Sequence, residues 1–361
     1  MNKIKNDLTN LKELPIFWML LSSKELFHSN FISWILETYP KEMGAFFCNI
    51  LSLDSIYEIS GIEREKHNID ISFHLGNTIV IIENKVKSIA YEEQLLKYND
   101  LYQTKNKKCI LLSLKKPIFE INNWQYLKYE TFIEQLKYLI KDIKVENYHK
   151  DLIEDYIKFI NILLTEFLPL INVEKIDICN LYVKNTEENI LLEKLIKLRI
   201  HDLFLKGLFE EIAITLKKEL ESKEFSISNK VIYKCEENDI VSVTFGMSRS
   251  QGLLDIKYKI KKDLIIGIQI QGLQYRQFIE GLDKKEVQEI STDFLANKKW
   301  FQFTNQLNKD STLEIYPLKG VFNRFDSSSG LFLYRSVKLN SLKNKDLFEI
   351  IYQDINDIKN I

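Results

Sequence analysis

Thr78-Ile79-Val80-Ile81-Ile82-Glu83-Asn84-Lys85 is the stretch on which the reading of this 361-residue chain turns. Four consecutive β-favouring apolar residues, Ile79 to Ile82, predict a strand buried on both faces. That strand runs directly into an acid and a base two residues apart. Residues i and i+2 of a strand point to one side, so Glu83 and Lys85 share a face. Neither type is buried without a partner, and the strand end therefore asks for a ligand, a metal or a counter-charge.

The neighbouring sequence offers one. Segments 57–66 and 69–75 read as paired strands with His67-Asn68 as a tight turn between them. Gly76-Asn77 joins the second to the opening strand, which makes a three-stranded meander. Asp70 falls on the middle strand, where a hairpin of this length brings its carboxylate beside Glu83. Two adjacent carboxylates repel unless a cation or a proton intervenes, and an oxygen-rich acidic cluster suits Mg²⁺ or Mn²⁺. Phosphodiester hydrolysis needs such a metal, together with a base or positive group beside the nucleophile, a place that Lys85 fills.

Helical patterns flank these strands. Leu26, Phe27, Phe31, Trp34 and Ile35 recur at helical spacing after a Ser22 or Ser23 cap, Pro40 closes that segment, and a second helix covers 43–51. Glu25 and His28, at i and i+3, share a face. Tyr91, Leu95, Tyr98 and Tyr102 form a stripe that predicts a helix over 91–102, with Gln94 and Tyr98 one turn apart. A second buried-type strand follows at 108–114, around C-I-L-L-S-L, and helices are expected over 131–143 and 150–168.

I-D-I at Ile69 to Ile71 followed by E-N-K at Glu83 to Lys85 resembles the PD-(D/E)XK nuclease superfamily. F-H-S-N at Phe27 to Asn30 and Q-L-L-K-Y at Gln94 to Tyr98 are similar to flanking motifs of a bacterial branch, with the motif order of RecB-like nucleases. The resemblance covers residues 20 to 115, and it lacks the proline of the superfamily's name, since Ile69 precedes Asp70. It implies a restriction-endonuclease-like α/β fold, a mixed sheet flanked by helices. It makes Asp70 and Glu83 metal ligands with the Asn84 backbone carbonyl, and it sets Lys85 against the attacking water. His28 becomes a candidate further ligand, and Glu25, Gln94 and Tyr98 supporting residues. The implied cofactor is Mg²⁺, with Mn²⁺ able to substitute.

Composition neither adds to nor subtracts from this. Lysine and arginine (50) nearly cancel aspartate and glutamate (51), so any basic surface for nucleic acid must be local. Lys97, Lys105, Lys107 and Lys108 form such an excess close to the motifs and are the candidate phosphate contacts, against the plain alternative of a solvated lysine face. Cys48, Cys109, Cys179 and Cys235 have no metal-type spacing and read as reduced core thiols. The sequence has no signal-like start and no apolar run of membrane length, and the expectation is a cytoplasmic protein with no membrane partner.

The expected organisation is a nuclease-like domain over 1–170, a linker over 171–185 and a second α+β domain over 186–361. In the second, a helix over 187–220 is expected to be interrupted near Gly207. An antiparallel meander follows over 225–233, 240–247, 253–260 and 264–271, then helices near 284–296 and 344–358 with a few short strands. No chemical motif stands there. The chain thus reads as a metal-dependent nuclease, DNA favoured over RNA, in restriction, repair or phage defence, and a homodimer would suit a duplex-cutting enzyme. The rival is a catalytically inactive module on the same fold that binds nucleic acid or protein.

Overall fold

A computed structural model describes residues 26–101, 106–120, 122–142, 145–223, 241–261, 264–297, 299–303, 317, 319–322 and 330–358. The chain divides into two compact units, Met1–Leu170 and Ile171–Ile361.

In the first unit, helices α1 (Leu26–Thr38) and α2 (Pro40–Ile50) precede strands β1 (Ile59–Arg64), β2 (Ile71–Leu75) and β3 (Thr78–Lys85). Helix α3 (Glu92–Leu101), strands β4 (Lys107–Ser113) and β5 (Trp124–Lys128), and helices α4 (Tyr129–Asp142) and α5 (Asn147–Ile162) follow. The sheet runs β1-β2-β3-β4-β5, antiparallel from β1 to β3 and parallel from β3 to β5. This is a mixed sheet flanked by helices, and β3 is the strand at which its sense changes.

Every residue of β3 from Val80 to Lys85 is buried, as its apolar run requires. On one face Ile81, Cys109 and Leu111 pack with Ile69, Ala90, Leu95 and Tyr98 beneath α3. On the other, Phe73 meets Phe47 of α2 with ring centroids 5.2 Å apart. Phe31 of α1 stacks on Tyr156 of α5 at 3.9 Å, which joins the two helices of that layer. Gly76 turns β2 into β3 with φ +57, and a Cβ there would sit 2.7 Å from the Tyr57 ring.

Three details differ from the sequence reading. His67-Asn68 is not a two-residue turn: Glu65, His67 and Asn68 all take positive φ (55, 56 and 63), a local path that histidine and asparagine tolerate better than most. Helix α4 starts at Tyr129 rather than 131, and that shift brings a tyrosine into the core. Strand β5, Trp-Gln-Tyr-Leu-Lys, was not expected, because a five-residue half-buried strand shows little periodicity.

The second unit contains helices α6 (Glu187–Lys197) and α7 (His201–Ser222) and strands β6 (Val241–Ser248), β7 (Gln251–Lys261), β8 (Leu264–Gln271) and β9 (Gln274–Gly281). Helix α8 (Lys284–Ala296), strands β10 (Lys319–Phe322) and β11 (Leu331–Lys338) and helix α9 (Asn344–Ile358) follow. Among the described residues its antiparallel sheet has six strands in the order β10-β11-β9-β8-β7-β6. The strand expected over 225–233 lies outside the described residues.

The expected break near Gly207 is corrected: the helix breaks at Leu198–Ile200, where Arg199 takes φ 53, and Gly207 lies within α7. A Cβ on Gly207 would approach Ile171 Cδ1 to 2.8 Å, so this glycine serves close packing rather than a turn. Residues 171–185, expected as a linker, carry the buried Ile178, Cys179 and Leu181. The Asn344 amide donates to the carbonyls of Val173 (3.0 Å) and Ile176 (2.7 Å) and accepts from the Ile178 N–H (3.0 Å).

The core of this unit holds a carboxyl group. Asp354 of α9 accepts from Tyr275 Oη at 2.7 Å and from Gln277 Nε2 at 2.8 Å. Burial pushes its pKa up to about 6, and the two hydrogen bonds only partly oppose that. The unfolded chain releases this proton near its ordinary value of 3.8, so the group's contribution to stability falls as pH rises from about 4 to about 6 and stays low above. Asp354→Asn keeps an acceptor for both donors and removes the charge. It is expected to stabilise the second unit by roughly 2–3 kcal/mol at pH 7.5, with the gain shrinking toward pH 4. Calorimetric unfolding at the two pH values measures this, and an equal or higher wild-type midpoint at pH 7.5 would refute it.

Candidate active site

The site begins with strand register. Ile71 pairs with Ile82 across the β2–β3 hairpin, and continuing that register sets Asp70 opposite Glu83. Directly opposed residues share a face, so Asp70, Glu83 and Lys85 lie together on the α3 side. The backbone adds a tie of its own, since the Asn84 N–H donates to Asp70 Oδ2 at 2.7 Å.

Glu83 is 1 % exposed, and two side chains meet its Oε1: Lys85 Nζ at 2.6 Å and Gln94 Nε2 at 2.7 Å. Lys85 itself is only 11 % exposed along its side chain. Gln94 also donates to Tyr98 Oη at 3.0 Å, and Tyr98 donates to the Asn68 carbonyl at 2.7 Å. The Q-L-x-x-Y helix therefore ties Glu83 to the loop that leads into Asp70. Burial holds the Tyr98 phenol above its usual pKa, and the Glu83 charge raises it further.

Asn84 alternates to the opposite face. There its Oδ1 accepts from Tyr129 Oη at 2.5 Å, Tyr129 Oη lies 3.4 Å from Tyr156 Oη, and Tyr156 Oη lies 3.1 Å from His28 Nδ1. All four side chains are buried. Burial first, and the charge of buried Lys87 second, keep His28 well below the usual histidine range, so its ring is neutral. Among the described residues His28 Nε2 and Asn84 Nδ2 have no hydrogen-bond partner.

The structure therefore brings together Asp70, Glu83, Asn84, Lys85, Gln94 and Tyr98, and joins His28 to them from behind β3. Glu25 and Lys105 lie outside the described residues. Lys97 and Lys108 are exposed, whereas Lys107 Nζ donates to the Asn99 carbonyl at the end of α3. Tyr129, Tyr156 and Lys87 were not singled out from sequence. An aromatic in an amphipathic helix reads as core, and a second lysine two residues past Lys85 reads as surface.

Residues 15–158 match the sequence profile of the PD-(D/E)XK nuclease superfamily. Within the N-terminal unit, those residues are similar to that superfamily. Neither a curated protein nor a solved structure matches the chain. The family's divalent cation can be set against the donors present. Among the described residues no three His, Cys, Asp or Glu side chains gather as a metal-holding group. Asp70, Glu83 and the Asn84 carbonyl are nevertheless oxygen donors at one strand end, and Mg²⁺ takes one or two carboxylates while keeping several waters. The donor set fits a hard divalent cation.

The Glu83–Lys85 contact sets a stability test. Breaking a buried ion pair from one side leaves an uncompensated charge, whereas replacing both members is far cheaper. Lys85→Met is expected to cost about 3 kcal/mol in urea unfolding, and adding Glu83→Gln should recover most of it. Additive losses would mean that the two groups do not stabilise each other.

Proposed function

We propose that the N-terminal unit hydrolyses phosphodiester bonds of nucleic acid with a divalent cation, Mg²⁺ or Mn²⁺, and that DNA is its substrate. The observation that carries this reading is the meeting of Asp70, Glu83 and Lys85 on one face at the end of β3, with the Asn84 N–H on Asp70. A cation held by Asp70, Glu83 and the Asn84 carbonyl would polarise the phosphoryl oxygen and acidify nearby water. Lys85 supplies a fixed positive charge, oriented by Glu83, beside the position from which water attacks. Gln94 and Tyr98 fix the Glu83 carboxylate, so that it turns little when charge develops at the phosphorus. Asp70, placed at the strand end by its bond from the Asn84 N–H, would offer its carboxylate to the cation. Exposed Lys97 and Lys108 stand on α3 and β4, the elements next to the site, and would neutralise substrate phosphates.

The retention of two carboxylates, a lysine and their supports in one arrangement favours an active enzyme over an inactive binding module. A role in restriction, repair or defence agrees with the family, and a cytoplasmic location with Cys48, Cys109 and Cys179, which are buried and free among the described residues. No described helix is long and apolar enough to cross a membrane.

The test is incubation of the purified chain with plasmid, linear duplex and single-stranded DNA and with RNA, with Mg²⁺ or Mn²⁺ and with chelator. Divalent-dependent cleavage of DNA is expected, reduced at least about 100-fold in Asp70→Ala, Glu83→Ala and Lys85→Ala. Cleavage that survives all three substitutions would move the active site elsewhere. Metal-independent DNA binding without cleavage would favour the binding-module reading.

A further inference from the structure

Tyr129 and Tyr156 are among the largest fully buried side chains of the chain, and both place their hydroxyls on one line of hydrogen bonds that ends at Asn84. Direction follows from chemistry. Tyr129 donates to an amide oxygen, so its own oxygen is left to accept from Tyr156. Tyr156 Oη in turn accepts from the Nδ1–H of His28. Donors thus run from His28 through Tyr156 and Tyr129 to Asn84.

Phenylalanine would fill the same apolar space between α1, α4, α5 and the sheet. A buried hydroxyl is tolerated only where its partners are supplied, so a run of three polar groups through a core is more than filling. Its end point is the residue between Glu83 and Lys85. Asn84 is held twice: its N–H by Asp70 on the front of the sheet and its side chain by Tyr129 behind it. The two ties clamp the peptides on either side of Asn84, and those peptides set the directions of Glu83, Lys85 and the Asn84 carbonyl.

We propose that Tyr129, Tyr156 and His28 are positioning residues for this strand end, acting through Asn84 to hold Asp70, Glu83 and the Asn84 carbonyl in cation-binding geometry. The inference rests on the nuclease reading above. Groups behind the ligands of a metal site alter affinity about 10–100-fold when removed, because ligands must sit within about 0.5 Å of the productive geometry.

Tyr129→Phe and Tyr156→Phe, each removing one oxygen, test it in the full chain, with folding checked by circular dichroism. Two readouts apply: Mn²⁺ affinity by calorimetry, and amide hydrogen exchange of peptides spanning 83–87 in the metal-free protein. Tyr129→Phe is expected to weaken Mn²⁺ binding about 10–100-fold and to speed exchange in that segment. Tyr156→Phe should do the same to a smaller extent, and the double variant should be no worse than Tyr129→Phe alone, since the groups act in series. Tyr156→Phe carries the test if Tyr129→Phe does not fold. Wild-type Mn²⁺ affinity and exchange in a folded Tyr129→Phe or Tyr156→Phe would make the line mere packing and overturn the proposal. A wild-type chain that neither binds Mn²⁺ nor cleaves nucleic acid fails differently, by overturning the nuclease reading on which the proposal stands.

Discussion

A strand buried on both faces cannot end in free charges, and the N-terminal unit is arranged around that constraint. Glu83 is almost wholly removed from water. An isolated carboxylate in such a place would cost several kcal/mol and would neutralise itself or unfold the strand end. The chain answers with a lysine from the same strand and an amide from α3, each within hydrogen-bonding distance. Helix α3 therefore does more than cover apolar surface. Its buried stripe of Leu95 and Tyr98 packs on the sheet, and the same docking places Gln94 over Glu83.

Topology explains why the charges meet at this point. Because β2 and β3 are antiparallel, the start of β2 lies beside the end of β3, and a carboxylate just before β2 falls next to Glu83. Because β4 runs parallel to β3, both strands end at the same edge of the sheet, where Lys85 pairs with Ser113. One strand with an antiparallel neighbour on one side and a parallel neighbour on the other thus gathers residues distant in sequence without a long loop.

What could be read in the sequence was what repeats or alternates. The apolar run of β3, the Gly76-Asn77 turn and the Leu95 and Tyr98 stripe of α3 could be read this way, and together they point to Asp70, Glu83, Lys85, Gln94 and Tyr98, while Tyr102 lies outside the described residues. Strand β5 is too short and too evenly half-buried for any period to show. Gly207 looked like a helix break because glycine is costly in a helix interior, yet close approach to Ile171 outweighs that propensity. The tyrosines behind Asn84 were invisible for another reason. Tyr129 and Tyr156 occupy apolar helix positions, and nothing local tells a phenylalanine's place from one where a hydroxyl has a partner 27 or 45 residues away.

On the proposed reading, the two faces of β3 divide the work by donor chemistry. The front offers carboxylate and carbonyl oxygens, which suit hard cations such as Mg²⁺ and Mn²⁺. Histidine nitrogen would broaden the choice toward zinc, but Nδ1 of His28 is engaged by Tyr156 behind the sheet. A neutral, fully buried imidazole there can orient a hydroxyl without bringing a charge close to Asn84. A lysine or arginine in its place would need a counter-ion and would pull on the Asp70 and Glu83 carboxylates through the low-dielectric core. The line His28–Tyr156–Tyr129 gives stiffness while adding no charge of its own.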